Sequence, residues 1–129
     1  MTSTRITELA IRQMVDIFYR RIRSDDLLSP VFESRLAGNW EPHMLRMYAF
    51  WTKALLARGE FQGNVFAKHM TLAGLEREHF ARWLELFRHT CIDLFGIEAA
   101  KDPIEIAERI AASFELGYFS DFEALRRLC

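Results

Sequence analysis

The stretch IRQMVDIFYRRI, residues 11–22, repeats its apolar side chains at the spacing of a helix. The apolar positions, at offsets 0, 3, 4, 7, 8 and 11, are Ile11, Met14, Val15, Phe18, Tyr19 and Ile22. These offsets place the side chains on one face of an α-helix, where they can pack against a core. The pattern predicts an amphipathic first helix from about residue 6 to about residue 24.

Two more helices are predicted in the first half of the chain. The Ser-Pro pair at 29–30 interrupts the first helical pattern, and a short helix then ends at Gly38, a residue type that suits a helix C-terminus. Asn39 can cap a third helix over about residues 40–58. Pro42 falls in the first turn of that helix, where its missing N–H costs no helical hydrogen bond.

Two long helices are predicted in the second half. The fourth covers about residues 76–95, and Asp102, Pro103 and Glu105 together have the pattern of a cap, a first-turn proline and a capping box that start the last helix. The chain has only 6 Gly and 3 Pro in 129 residues, too few for the turns of a β-sandwich or barrel. The sequence therefore predicts a single all-α domain over residues 1–129.

Charge and hydropathy exclude several function classes. A net charge of −1 and a pI near 6.4 give no basic surface for nucleic acid. No apolar run approaches the roughly 18 residues that span a membrane, and the N-terminus lacks the layout of a secretory signal, so we expect a cytoplasmic protein. Cys91 and Cys129 stand alone, without the CxxC spacing of a zinc or redox site.

The segment KHMTLAGLEREHFARWL, residues 68–84, contains His69 within a stretch that lacks a long helical period. A single imidazole facing helices rich in aromatic residues suits haem, whose iron is commonly held by one histidine and whose ring needs apolar packing. Taken alone, however, a lone histidine and an aromatic stripe are more typical of an ordinary fold and its core. Spacing therefore leaves both interpretations open.

Four ordered segments carry a resemblance to a known family. They are MVDIFYRRIRSDDLLSPVF, NWEPHMLRMYAFW, GEFQGNVFAKHMTL and HFARWLELF. Together they closely resemble the group III truncated haemoglobins, small bacterial relatives of the globins, from about residue 10 to about residue 120. The resemblance implies an all-α truncated globin fold, a 2-on-2 helical sandwich around haem.

The same resemblance implies roles for individual residues. His69 matches the proximal iron ligand, Tyr19 the distal tyrosine, Trp83 the distal tryptophan and His43 the distal-helix histidine. Tyr19, Trp83 and His43 would act on the bound ligand, and Trp83 and His43 would also contact the cofactor, haem b (iron protoporphyrin IX). Further positions that match residues lining the haem are Phe32, Met47, Phe50 and Trp51, with Phe80 a weaker addition.

The implied function is the binding of O₂, nitric oxide, carbon monoxide, cyanide or peroxide. Because Tyr19 and Trp83 both offer hydrogen-bond donors, the pocket favours retention of O₂ and suits nitric oxide dioxygenation or peroxide reduction. Either activity needs a separate electron-donating reductase, since the chain has no GxGxxG fingerprint. The alternatives are a non-catalytic gas sensor or store, and a helical interaction module without a cofactor.

Overall fold

The computed structural model describes residues 6–56 and 75–128, with side chains described as far as Leu116. Helix α1 (Glu8–Arg23) begins after Thr7, whose hydroxyl oxygen accepts a hydrogen bond from the Ala10 N–H at 3.1 Å. This bond satisfies one of the N–H groups that have no partner within the first helical turn. All six apolar residues of the predicted stripe are buried, so the prediction of the first helix is confirmed.

Two helices follow α1 as predicted. Helix α2 (Ser29–Leu36) is followed by Gly38, which has a φ of +79°. That left-handed conformation favours glycine because other residues meet a clash at their Cβ. Helix α3 (Trp40–Leu56) begins two residues later, so only a very short connection separates the two helices.

The last described element, α4 (Arg77–Leu128), consists of two helical segments that meet at a kink at Gly96, where φ is +82°, so the prediction of a fourth helix that ends near residue 95 is confirmed. The start predicted for the last helix is wrong, because Pro103 lies inside the second helical segment rather than at its first position. Ala100 and Pro103 are both fully buried, so packing of this segment outweighs the local capping pattern at residues 102–105. Glu105 instead pairs with Arg109 one turn further on, at 2.6 Å.

Helix α1 lies at the centre of the packing and contacts α2, α3 and α4. Its buried face forms one core with the aromatic residues of α4 and with Trp51 of α3. A smaller cluster, formed by Leu75, Phe80 and Phe114, packs beside it. In the parts of the chain that the structure describes, no helix has the length and apolar character needed to cross a bilayer.

Asp25 fixes the turn between α1 and α2. One of its carboxylate oxygens accepts the N–H groups of Leu27 and Leu28 at 3.1 and 3.0 Å, and the other accepts from the Arg82 side chain at 2.7 Å. Burial favours a raised pKa for Asp25, but the hydrogen bonds and the charge of Arg82 outweigh it and lower the pKa. The ionised carboxylate thus ties the start of α2 to α4.

Candidate ligand-binding site

Tyr19 lies on the buried face of α1 and is the centre of a group of rings. Its side chain is only 6% exposed. The Tyr19 ring meets the His43 ring edge to face with centroids 5.0 Å apart, and it meets the rings of Phe32 and Trp40 at 6.1 Å. Because α2 contributes Phe32 and α3 contributes the other two, the phenol is placed by three helices at once.

Among the described residues, the contacts of Tyr19 are made by its ring, and its phenol lies in a buried environment. Burial raises the pKa of this phenol well above its ordinary value of about 10. The group therefore stays protonated at neutral pH and keeps an O–H available to donate. A phenol O–H in such an environment can donate to a small ligand beside it.

His43 lies in the first turn of α3, half-buried beside Tyr19. Its backbone N–H donates to the carbonyl of Asn39 at 3.3 Å. The imidazole meets the Trp40 ring edge to face at 6.1 Å, in addition to its contact with Tyr19. The start of α3 thus presents two rings, those of Trp40 and His43, to the same phenol.

Trp83 is positioned on α4 by stacking. Its ring lies parallel to that of Phe87 at 6.0 Å and meets Phe18 edge to face at 5.6 Å. Phe87 stacks in turn with Trp51 at 5.0 Å. Since Phe87 is fully buried, these contacts fix the plane of the Trp83 ring while the ring itself stays half-buried.

An apolar cavity of about 40 Å³ lies beside Trp83. The residues around it are Leu28, Val31, Phe32, Leu75, His79, Phe80, Trp83, Ala111 and Phe114. The imidazole in this set is already used, because the Nδ1 atom of His79 accepts a hydrogen bond from the Glu76 N–H at 2.9 Å. The cavity therefore has walls of apolar and aromatic side chains and room for about one water-sized molecule.

The site residues predicted from the sequence lie in different parts of the structure. Phe32 and His43 each contact Tyr19, whereas Phe80 and Trp83 share the wall of the cavity with Phe32. The remaining predicted haem contacts on α3 pack against the core: Met47 and Phe50 are half-buried, and Trp51 is buried. His69, the predicted iron ligand, lies outside the described residues.

Sequence reasoning missed Trp40 as a member of this site. It stands three positions before His43, a spacing that places both side chains on one face of a helix. That signal was available in the sequence, although Trp40 falls at the helix start, where a cap is more commonly considered than a contact.

Comparison with known proteins identifies the class. The chain is 28% identical to the group 3 truncated hemoglobin of Campylobacter jejuni over 113 residues, 85% of this chain and 89% of that protein. It superposes on the crystal structure of a group III truncated hemoglobin from Campylobacter jejuni with a TM-score of 0.82 at 28% identity, covering 88% of this chain and 92% of that one. No family model matches the chain.

These findings define an all-α protein with the truncated globin fold, as the sequence predicted. Within that class, the predicted resemblance to the group III truncated haemoglobins is confirmed by likeness in both sequence and structure.

Proposed function

We propose that this chain binds haem b, with His69 as the ligand to iron, and that it retains O₂ and other small diatomic ligands beside Tyr19. A truncated haemoglobin implies a haem cofactor. The single observation that carries the proposal is the Tyr19 phenol, which lies buried among the rings of Phe32, Trp40 and His43 and keeps its proton.

The described residues fit such a cofactor. Haem needs apolar walls around most of its ring. Phe32, Phe80 and Trp83 supply walls of that kind. The cavity that they line is a place where side chains do not fill the interior. When bound, haem supplies an iron that takes one protein ligand and holds a diatomic molecule at its open position.

The chain's own contribution to ligand retention is hydrogen bonding in a dry pocket. Tyr19 donates through its phenol and Trp83 through its indole N–H, a donor that cannot also accept. Exclusion of water strengthens both bonds, because the local dielectric constant is low. Each bond to a ligand that carries partial negative charge is worth about 1.5 to 3 kcal/mol, or about a tenfold to hundredfold slower release.

Slow release favours chemistry on the retained ligand over delivery. We therefore propose nitric oxide dioxygenation or peroxide reduction as the activity, with electrons from a separate reductase. Stopped-flow measurement tests this directly: ferrous protein equilibrated with O₂ is mixed with nitric oxide, and its rate of nitric oxide loss is compared with that of free haem. No acceleration would favour a gas sensor or store instead.

Haem binding itself is tested by titration with hemin. The purified protein should develop one Soret band at one equivalent, and His69→Ala should lose it or weaken it strongly. The matched control is His89→Ala, which removes an exposed histidine of α4 and should bind hemin like the parent protein. Equal hemin binding by the two variants would overturn the assignment of His69. A parent protein that refuses hemin would overturn the proposed function.

A further inference from the structure

We propose that Trp40 is a positioning residue that forms the outer wall of the ligand site, and that Arg23 and Glu33 hold it against Tyr19 and His43. The inference rests on the proposed function, because it concerns how a small ligand reaches the Tyr19 hydroxyl. It assigns to three residues outside the predicted site a role in ligand access.

Trp40 packs against the buried phenol of Tyr19 and is itself partly exposed to solvent. It is the first residue of α3 and is half-buried. Its ring meets Tyr19 and His43 edge to face, each at 6.1 Å, with interplanar angles of 70° and 85°. Any shift of the indole would therefore change the space available to both rings.

A closed set of three contacts holds the indole. One carboxylate oxygen of Glu33 accepts from the Arg23 Nε at 3.0 Å, and the other accepts from the Trp40 Nε1 at 3.3 Å. The Arg23 guanidinium carbon also lies 4.4 Å from the centroid of the Trp40 ring, a cation–π contact. Arg23 ends α1, Glu33 lies on α2 and Trp40 begins α3, so the three contacts join three helices.

The contacts among Arg23, Glu33 and Trp40 set the position of the indole and add little to the stability of the fold. The Arg23 and Glu33 side chains are 51% and 39% exposed, and ion pairs so open to solvent add little to folding. Their effect is on the indole, which is fixed from its outer side by a charge on one ring face and by a hydrogen bond at its nitrogen. The inner side of the same ring limits movement of Tyr19 and His43.

The test is rebinding of carbon monoxide after flash photolysis of the haem-loaded protein. Trp40→Ala removes the wall, Trp40→Phe keeps a ring but loses the donor, and Glu33→Gln weakens the hold of Arg23. The matched control is Glu108→Gln, which weakens the Arg88–Glu108 ion pair at 2.7 Å, an exposed pair on α4.

We expect the bimolecular association rate to rise about tenfold in Trp40→Ala, because the wall is removed, and about threefold in Glu33→Gln, because an exposed ion pair shifts a held-to-released equilibrium by up to about fivefold. Trp40→Phe should lie between the parent protein and Trp40→Ala. Glu108→Gln should match the parent protein.

A second readout separates positioning from a general loss of structure. The infrared C–O stretch of bound carbon monoxide reports the hydrogen-bond donors around it. Trp40→Ala should broaden or split this band, because Tyr19 and His43 gain alternative positions, whereas a purely structural role would lower thermal stability and leave the band unchanged. If Trp40→Ala does not fold, the association rate and the C–O band are measured on Trp40→Phe and Glu33→Gln.

Association rates within twofold of the parent protein, together with an unchanged C–O band, would overturn the role of Trp40 while leaving haem binding intact. If the parent protein takes up no hemin, the proposed function and this inference both fail. The two failures are therefore distinguishable in one set of proteins.

Discussion

Removal of the Tyr19 hydroxyl is the sharpest single perturbation of this site. In Tyr19→Phe the ring contacts with Phe32, Trp40 and His43 are kept, because only the oxygen is lost. None of the hydrogen bonds described for the chain involves this hydroxyl, so its removal breaks no described hydrogen bond. Tyr19→Phe should therefore change the stability of the fold little and the rate of ligand dissociation strongly.

The magnitudes follow from this environment. The ring packing is kept and no described hydrogen bond is lost, so the stability of the haem-free Phe variant should lie within about 1 kcal/mol of that of the parent protein. With O₂ bound, the lost hydrogen bond is worth about 1.5 to 3 kcal/mol, which corresponds to about tenfold to hundredfold faster O₂ dissociation. Because burial raises the Tyr19 pKa, dissociation from the parent protein should not change between pH 7 and about pH 10.

The assay is O₂ dissociation measured by displacement with carbon monoxide, combined with urea denaturation of the haem-free proteins. Tyr48→Phe is the matched control, since the Tyr48 hydroxyl donates to Asp16 away from the site. That variant should lose about 0.5 to 1.5 kcal/mol of stability and release O₂ at the parent rate. An unchanged O₂ rate in Tyr19→Phe with full haem content would refute Tyr19 as a donor, and loss of haem would make its role structural.

Three further predictions concern residues on other elements. Trp83→Phe should speed O₂ dissociation and cost about 1 to 2 kcal/mol in urea denaturation, because it shortens the stack on Phe87; an unchanged O₂ rate would leave Trp83 a packing residue only. Asp25→Asn should cost about 1 to 2 kcal/mol at pH 7. Because the folded-state pKa of Asp25 is lowered, its contribution is present above about pH 4 and is lost as the pH falls through the folded pKa, so the two proteins should converge in stability under acid. A constant gap would contradict this. Burial raises the pKa of the Cys91 thiol to about 12, so native protein should leave Cys91 unmodified by a thiol reagent that labels it in urea, with peptide mapping as the measurement.

The sequence alone determined the features that repeat along a single helix. The apolar stripe of residues 11–22 predicted α1 and its buried face, since helical spacing is a local property that needs no knowledge of the rest of the fold. The stop at Gly38 was likewise predictable, because a positive φ strongly favours glycine. Four ordered segments also carried enough of the family pattern to indicate the truncated globin class, which the comparisons confirmed.

Only the tertiary structure decided how distant parts of the chain meet. The capping pattern at residues 102–105 was locally sound, yet burial of Ala100 and Pro103 placed them within a helix. Asp25 and Arg82 pair across 57 positions, and Arg23, Glu33 and Trp40 meet from three helices. Such contacts depend on the angles at which whole helices pack, and those angles come from the summed fit of many side chains, a quantity that no short window of sequence contains.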